Sequence, residues 1–287
     1  MSRGIPRVPA VLLLLAAASF PAAASTVFFS TGNPDGLIAT LSRPASAGKI
    51  QTETADDFVL AQPTTINSAT FIGLLPLGAP LTNVNDVEIE LYHVFPEDSA
   101  FPPSGHVLTR VNSPSDSEFL ALDSKAGDIA FTPGVLNPNF TVVNTVVNGI
   151  HPLPNQFTGG EGPATGQEVQ FNILFTTPFT LPEGHYFFRP EVGLTSGDFL
   201  WLSAPRPIVP PGTPFPPGST DLQTWIRNDD LAPDWSRIGT DITHQGPFNA
   251  AFSLSGETAV PEPSSYVPLG IGFALIVLSY RRQNAKR

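Results

Sequence analysis

The residues best suited by type to touch a ligand are two tryptophans and the charges beside them. Trp225 and Trp235 lie among polar neighbours, in Thr224-Trp225-Ile226-Arg227-Asn228-Asp229-Asp230 and Ala232-Pro233-Asp234-Trp235-Ser236-Arg237. An exposed indole can stack on the face of a sugar ring, and a guanidinium with carboxylates nearby can take up its hydroxyls. Trp225, Arg227 and Trp235 are therefore the expected ligand surface, beside a proline-rich stretch from Pro205 to Gly218. Trp201 sits in the apolar run Phe199-Leu200-Trp201-Leu202 and is expected in the core.

Catalytic patterns are missing. There is no Gly-x-Ser-x-Gly elbow, no His-Glu-x-x-His and no phosphate-binding loop. Gly160-Glu161-Gly162-Pro163 lacks the third glycine of a dinucleotide site, and Pro163 stands where a helix should begin. His93, His106, His151, His185 and His244 are scattered, and His93 and His185 fall in strand-like runs that favour a structural role. The 25 carboxylates leave a hydrolytic pair open, because such chemistry depends on separation in space rather than in sequence. With no cysteine, thiol catalysis, disulfides and Cys-ligated metals are excluded. Asn83-Val84-Asn85-Asp86-Val87-Glu88 alternates like a calcium loop but lacks its glycine and terminal glutamate. No catalytic residue and no cofactor are expected; structural calcium is compatible with the acid content but has no assignable ligands.

The scaffold that positions these residues is bounded by composition. Of 287 residues 41% are hydrophobic, enough for a core, while only 14% are charged, below the usual quarter. Thirty-two prolines and 24 glycines cannot be housed in long helices, which points to short strands and frequent turns. The stretch from Ser25 to Pro263 holds all 25 acidic residues and eight of the 14 basic ones, a balance of −17. Such a surface repels phosphate backbones, so nucleic acid is not an expected partner.

Both ends carry signals of their own. Arg3 and Arg7 precede the apolar run Val11 to Ala18, and Ala22-Ala23-Ala24 supplies small residues before Ser25. That order is a secretory signal, segment 1–24, cut by signal peptidase between Ala24 and Ser25 with Ala22 and Ala24 in its small-residue pockets. Near the other end, Val260-Pro261-Glu262-Pro263 is followed by an apolar segment from Tyr266 to Tyr280 and then by Arg281-Arg282. As a helix these fifteen residues would reach ~22 Å, short of the ~30 Å hydrocarbon core, so a membrane span needs thinning or snorkelling arginines. Arg281 and Arg282 would act as the membrane stop on the cytoplasmic side.

Segment 259–287 resembles the PEP-CTERM sorting tails of Gram-negative bacteria. Pro261, Glu262 and Pro263 match the motif, Val267 to Tyr280 the helix, and Arg281 and Arg282 the basic end. The resemblance implies an exosortase-type membrane protease as a partner, cutting near the motif. It also implies export across the inner membrane, a transient membrane anchor, final placement at the cell surface or outside, and an association with exopolysaccharide.

The middle, 25–258, shows period-two patterning. Val87, Ile89 and Leu91 alternate with Glu88 and Glu90; Val169, Phe171, Ile173 and Phe175 alternate with Gln170, Asn172 and Thr176; Phe248, Ala250, Phe252 and Leu254 continue the theme. Shorter apolar runs at 58–60, 69–75, 141–147, 185–188 and 198–202 predict further strands. Pro205 to Gly218 and Gly159 to Gly166 predict long loops. About ten strands with no crossover helices predict an all-β fold, an antiparallel β-sandwich or jelly roll, with helix only at the two ends and in single turns. Three readings stand for this domain: a non-catalytic surface or matrix protein, which is favoured, a glycan-binding module, or a carboxylate-dependent glycan hydrolase.

Overall fold

The computed structural model describes residues 26–46, 48–96, 105–150 and 157–258. Among them are fifteen strands. In chain order these are β1 (Thr26–Ser30), β2 (Ile38–Leu41), β3 (Thr52–Leu60), β4 (Thr64–Pro76) and β5 (Val84–His93). They continue with β6 (Leu120–Asp123), β7 (Ile129–Val142), β8 (Asn144–Val146), β9 (Ala164–Leu181) and β10 (Gly184–Leu194). The last five are β11 (Leu200–Ala204), β12 (Trp225–Asn228), β13 (Ser236–Arg237), β14 (Asn249–Ala250) and β15 (Phe252–Thr258). Among the described residues, helical geometry is confined to single turns at Leu81–Asn83 and Ile238–Ile242. No helix of the described residues is long and apolar enough to cross a membrane. The expectations for segments 1–24 and 259–287 lie outside the described residues, including Ala22, Ala24, Ser25, Pro261, Glu262, Pro263, Arg281 and Arg282.

The fold is all-β and sandwich-like, with nine strands in one sheet and six in the other. The smaller sheet runs β13-β12-β3-β10-β5-β6. The larger is organised on β4, which pairs with β9 along one side and with β15 and then β11 along the other. Pairing is antiparallel throughout except between β2 and β8. The core between the sheets is aromatic. Phe188 of the smaller sheet stacks on Phe252 of the larger at 5.0 Å, and Phe71 stacks on Phe171 at 4.8 Å. Trp201 is fully buried beside them, as its apolar surroundings predict.

The three period-two stretches form β5, β9 and the β14–β15 region, with their apolar members inside. Residues 205–218 form no strand, as expected. Two boundaries shift. The second expected loop is shorter, because β9 starts at Ala164 and Thr165 bonds across to Thr141 of β7 at 2.8 Å. The last strand continues past Leu254 to Thr258, where it pairs with Thr64.

Gly256 shows how tightly that last strand is laid down. It lies at a bulge in the β4–β15 ladder, and a Cβ there would overlap the Thr65 carbonyl. Gly256→Ala is expected to cost about 2 kcal/mol, as overpacking typically does, and to lower the thermal midpoint measured by circular dichroism.

The first and last strands and three connections define the two ends of the sandwich. Thr26 pairs with Gly256 and Thr258 with Thr64, so the chain enters and leaves the domain side by side. The β3–β4 and β9–β10 connections turn at this same end. The β4–β5 connection turns at the opposite end.

Candidate functional site

The ligand surface expected at Trp225, Arg227 and Trp235 is not a surface. Trp225 is 1% exposed, Trp235 0% and Arg227 7%. Trp225–Asn228 is β12, hydrogen-bonded to β3 and buried on both faces. This corrects the sequence reading: Thr224, Arg227, Asn228, Asp234 and Ser236 are buried along with the two tryptophans, while of their polar neighbours Asp229 and Asp230 alone are exposed, so neither indole can stack on a sugar from solvent.

A strip of charge lies on the outer face of the smaller sheet. Register places Arg227 opposite Glu53, Arg189 opposite Glu90 and Glu191 opposite Glu88. Charges alternate along β5 and β10 as on a wet face, but Leu222 and Trp235, from outside β5 and β12, pack in one buried cluster with Tyr92 and Trp225 of those strands. Glu88 and Glu90 are accordingly half-buried rather than solvent-facing. Arg189 is 1% exposed and contacts Glu53 at 2.7 Å, Glu90 at 2.6 Å and Glu191 at 2.6 Å. Arg227 pairs with Glu53, donates to the Tyr92 hydroxyl oxygen at 3.0 Å and lies 4.3 Å from the Trp235 ring centroid. Arg110 joins Asp116 to Asp234, tying the covering segments to one another. At the strip's other margin, Asp57 binds His185 Nε2 at 2.6 Å and accepts the Leu222 N–H at 3.1 Å.

The electrostatics follow from the count. Two guanidiniums, Arg189 and Arg227, face four carboxylates: Glu53, Glu88, Glu90 and Glu191. Burial alone would raise Glu53, but Arg189 and Arg227 outweigh it and hold its carboxyl down at about 2. The others hold their protons more tightly: burial raises Glu88 and Glu90, and pushes Glu191 up to about 8 against the pull of Arg189. Burial likewise raises Asp56 and Asp57 well above the carboxylate range and lowers His185 to about 4.

A pH dependence of stability results, and its sign can be worked out. A carboxyl whose folded value is raised binds more protons in the folded state, so stability falls as pH rises between the ordinary and the raised value. For Glu191 that window runs from 4.5 to about 8. Glu53 acts oppositely: its stabilisation is present above 4.5 and is lost as pH falls towards about 2. Urea denaturation is therefore expected to show a maximum in mild acid. Glu191→Gln should flatten the decline across pH 5–8, removing a slope of up to about 1.4 kcal/mol per pH unit.

Beyond Glu88 the strip leaves its cover and opens into a cavity of about 210 Å³. The cavity lies between the turn after β2 and the start of β5, and its charged lining comprises Arg43, Lys49, Asp86, Glu88, Lys125 and Asp198. Asp198 accepts from Arg43 at 2.5 Å and from Lys49 at 2.8 Å. Asp86 is buried, accepts from Ser124 Oγ at 2.8 Å and pairs with Lys125. Part of the stretch tested for calcium does converge here: carboxylate oxygens of Asp86, Glu88 and Asp123 lie within 4.8 Å of one another. Asn83 turns away instead, bonding Ser196 through both ends of its amide. The ammonium of Lys125 supplies the counter-charge from within the chain.

No family model, no curated protein and no solved structure matches this chain.

Proposed function

We propose that this chain is an exported, exosortase-sorted cell-surface or extracellular-matrix protein. Its signal, 1–24, is removed, its 266–280 segment anchors it in the membrane until processing, and its sandwich-like domain is non-catalytic and associates with exopolysaccharide. One observation carries the reading: Pro261-Glu262-Pro263, an apolar segment and Arg281-Arg282 follow directly on a domain whose last strand ends at Thr258. The exit of Thr26 and Thr258 from one end supports it, since a domain held there turns the other end outward. The use of charge inside the domain supports a structural rather than catalytic role. All six arginines of the described residues are held in ion pairs, and three of these residues are almost fully buried.

Fractionation tests this. The exported protein should begin at Ser25 on N-terminal sequencing, and full-length precursor should sediment with membranes. A chain ending at Thr258 should appear folded in the soluble fraction, because the core strands are complete by that point. A mature protein that still begins at Met1, or a full-length chain never found in membranes, contradicts the proposal.

A further inference from the structure

We propose that the cavity between Arg43–Lys49 and Asp86–Glu88 is a binding site for a neutral, polyhydroxylated ligand, a single saccharide unit. Lys49 and Lys125 are the only lysines among the described residues, and both line this one cavity. They are far apart in sequence and pair with different lining carboxylates, Lys49 with Asp198 and Lys125 with Asp86.

The charge balance selects the ligand. Three cations, Arg43, Lys49 and Lys125, face the lining carboxylates Asp86, Glu88 and Asp198, with Asp123 set beside Asp86 and Glu88, so opposite charges of both signs are interleaved around the cavity. An anionic ligand entering here would meet the carboxylates, and a cationic one the ammonium groups, so neither gains a net attraction. What the walls do offer is alternating strong donors and acceptors. Lys49 spends N–H bonds on the Gly197 carbonyl and Asp198, and Lys125 on Asp86, leaving each ammonium further donor capacity. The Glu88 carboxylate makes no hydrogen bond or ion pair among the described residues. A sugar hydroxyl both accepts and donates, so adjacent hydroxyls can bridge an ammonium and a carboxylate at once.

The acceptors are held in place before any ligand arrives: Asp198 by Arg43 and Lys49, Asp86 by Ser124 and Lys125. Preorganisation of this kind reduces the entropy lost on binding. The volume, about 210 Å³, is below the ~300–1,000 Å³ of sites for drug-sized molecules and suits one ring. The cavity also lies near Gly193 on β10, about 30 Å along the strand from Gly184 at the Thr64 end. That it would face away from the membrane rests on the sorting reading; the chemistry of the cavity does not.

Isothermal titration calorimetry on the full-length protein in detergent tests this. The probes are methyl α-glucoside, methyl α-mannoside and methyl β-galactoside, with D-glucuronate and calcium chloride in parallel. At least one neutral glycoside should bind, and Lys49→Met and Glu88→Gln should each weaken it about tenfold or more, the cost of losing a hydrogen bond to a charged group. Tighter binding of glucuronate or calcium, equal binding by both variants, or no heat with any glycoside overturns the proposal. The sorting reading is judged by fractionation, so either can fail without the other.

Discussion

An Arg189→Met protein is expected to lose roughly 3–5 kcal/mol of stability, the range for removing one partner of a buried ion pair. The side chain contacts Glu53, Glu90 and Glu191 and is 1% exposed, so no water can take its place. Methionine preserves much of the volume, so the effect reads the lost charge rather than a cavity. Urea denaturation at pH 5 and pH 8 would measure it, and the loss should be larger at pH 8, where the orphaned carboxylates are driven to ionise. A loss under 1 kcal/mol at both pH values would mean that Arg227 alone neutralises the strip. Since a domain of this kind has only about 5–15 kcal/mol in hand, the variant could fail to accumulate at all. Arg189→Lys then serves as the second measure: it keeps the charge but not the fork that reaches several carboxylates, and should fall between the two.

Glu262→Ala is expected to leave folding untouched and to change where the protein goes. Pro261 and Pro263 fix their own φ, withhold backbone donors and push the residues before them towards extended conformations. Under the proposed sorting, a processing enzyme would recognise this segment through Glu262, the charged residue between the two prolines. The variant should therefore accumulate as an unprocessed, membrane-held form, while wild type moves to the surface or medium. Immunoblots of membrane and medium fractions would show the shift, and thermal denaturation would show an unchanged midpoint. A variant distributed like wild type would leave the tail as an anchor alone.

How much of this was legible in the sequence depended on which strands are wet on one face. β5, β9 and the β14–β15 region could be read because one face meets the core and the other meets polar surroundings, which leaves alternation in the sequence. β3 is buried along nearly its whole length and β12 along all of it. Such strands carry no alternation, and Trp225 and Arg227 read as an exposed ligand surface for that reason. The charges of β5 and β10 did alternate, but alternation cannot distinguish a wet face from one covered by a second layer. The signal that could have raised suspicion was the complementary charge of Glu88-x-Glu90, in one expected strand, and Arg189-x-Glu191, directly after another, since opposite charges at period two are suited to cross-strand contacts.

By itself, the sequence determined the all-β class, the period-two strands of the core and the core assignment of Trp201. These depend on local order: apolar period and proline content. The tertiary structure alone decided that Trp225 and Trp235 are buried, that Arg189 serves several carboxylates, and that Lys49 and Lys125 meet in one cavity. Each of those facts depends on strand register and on which loops fold back over a sheet, and neither is written in the spacing of residues along one segment.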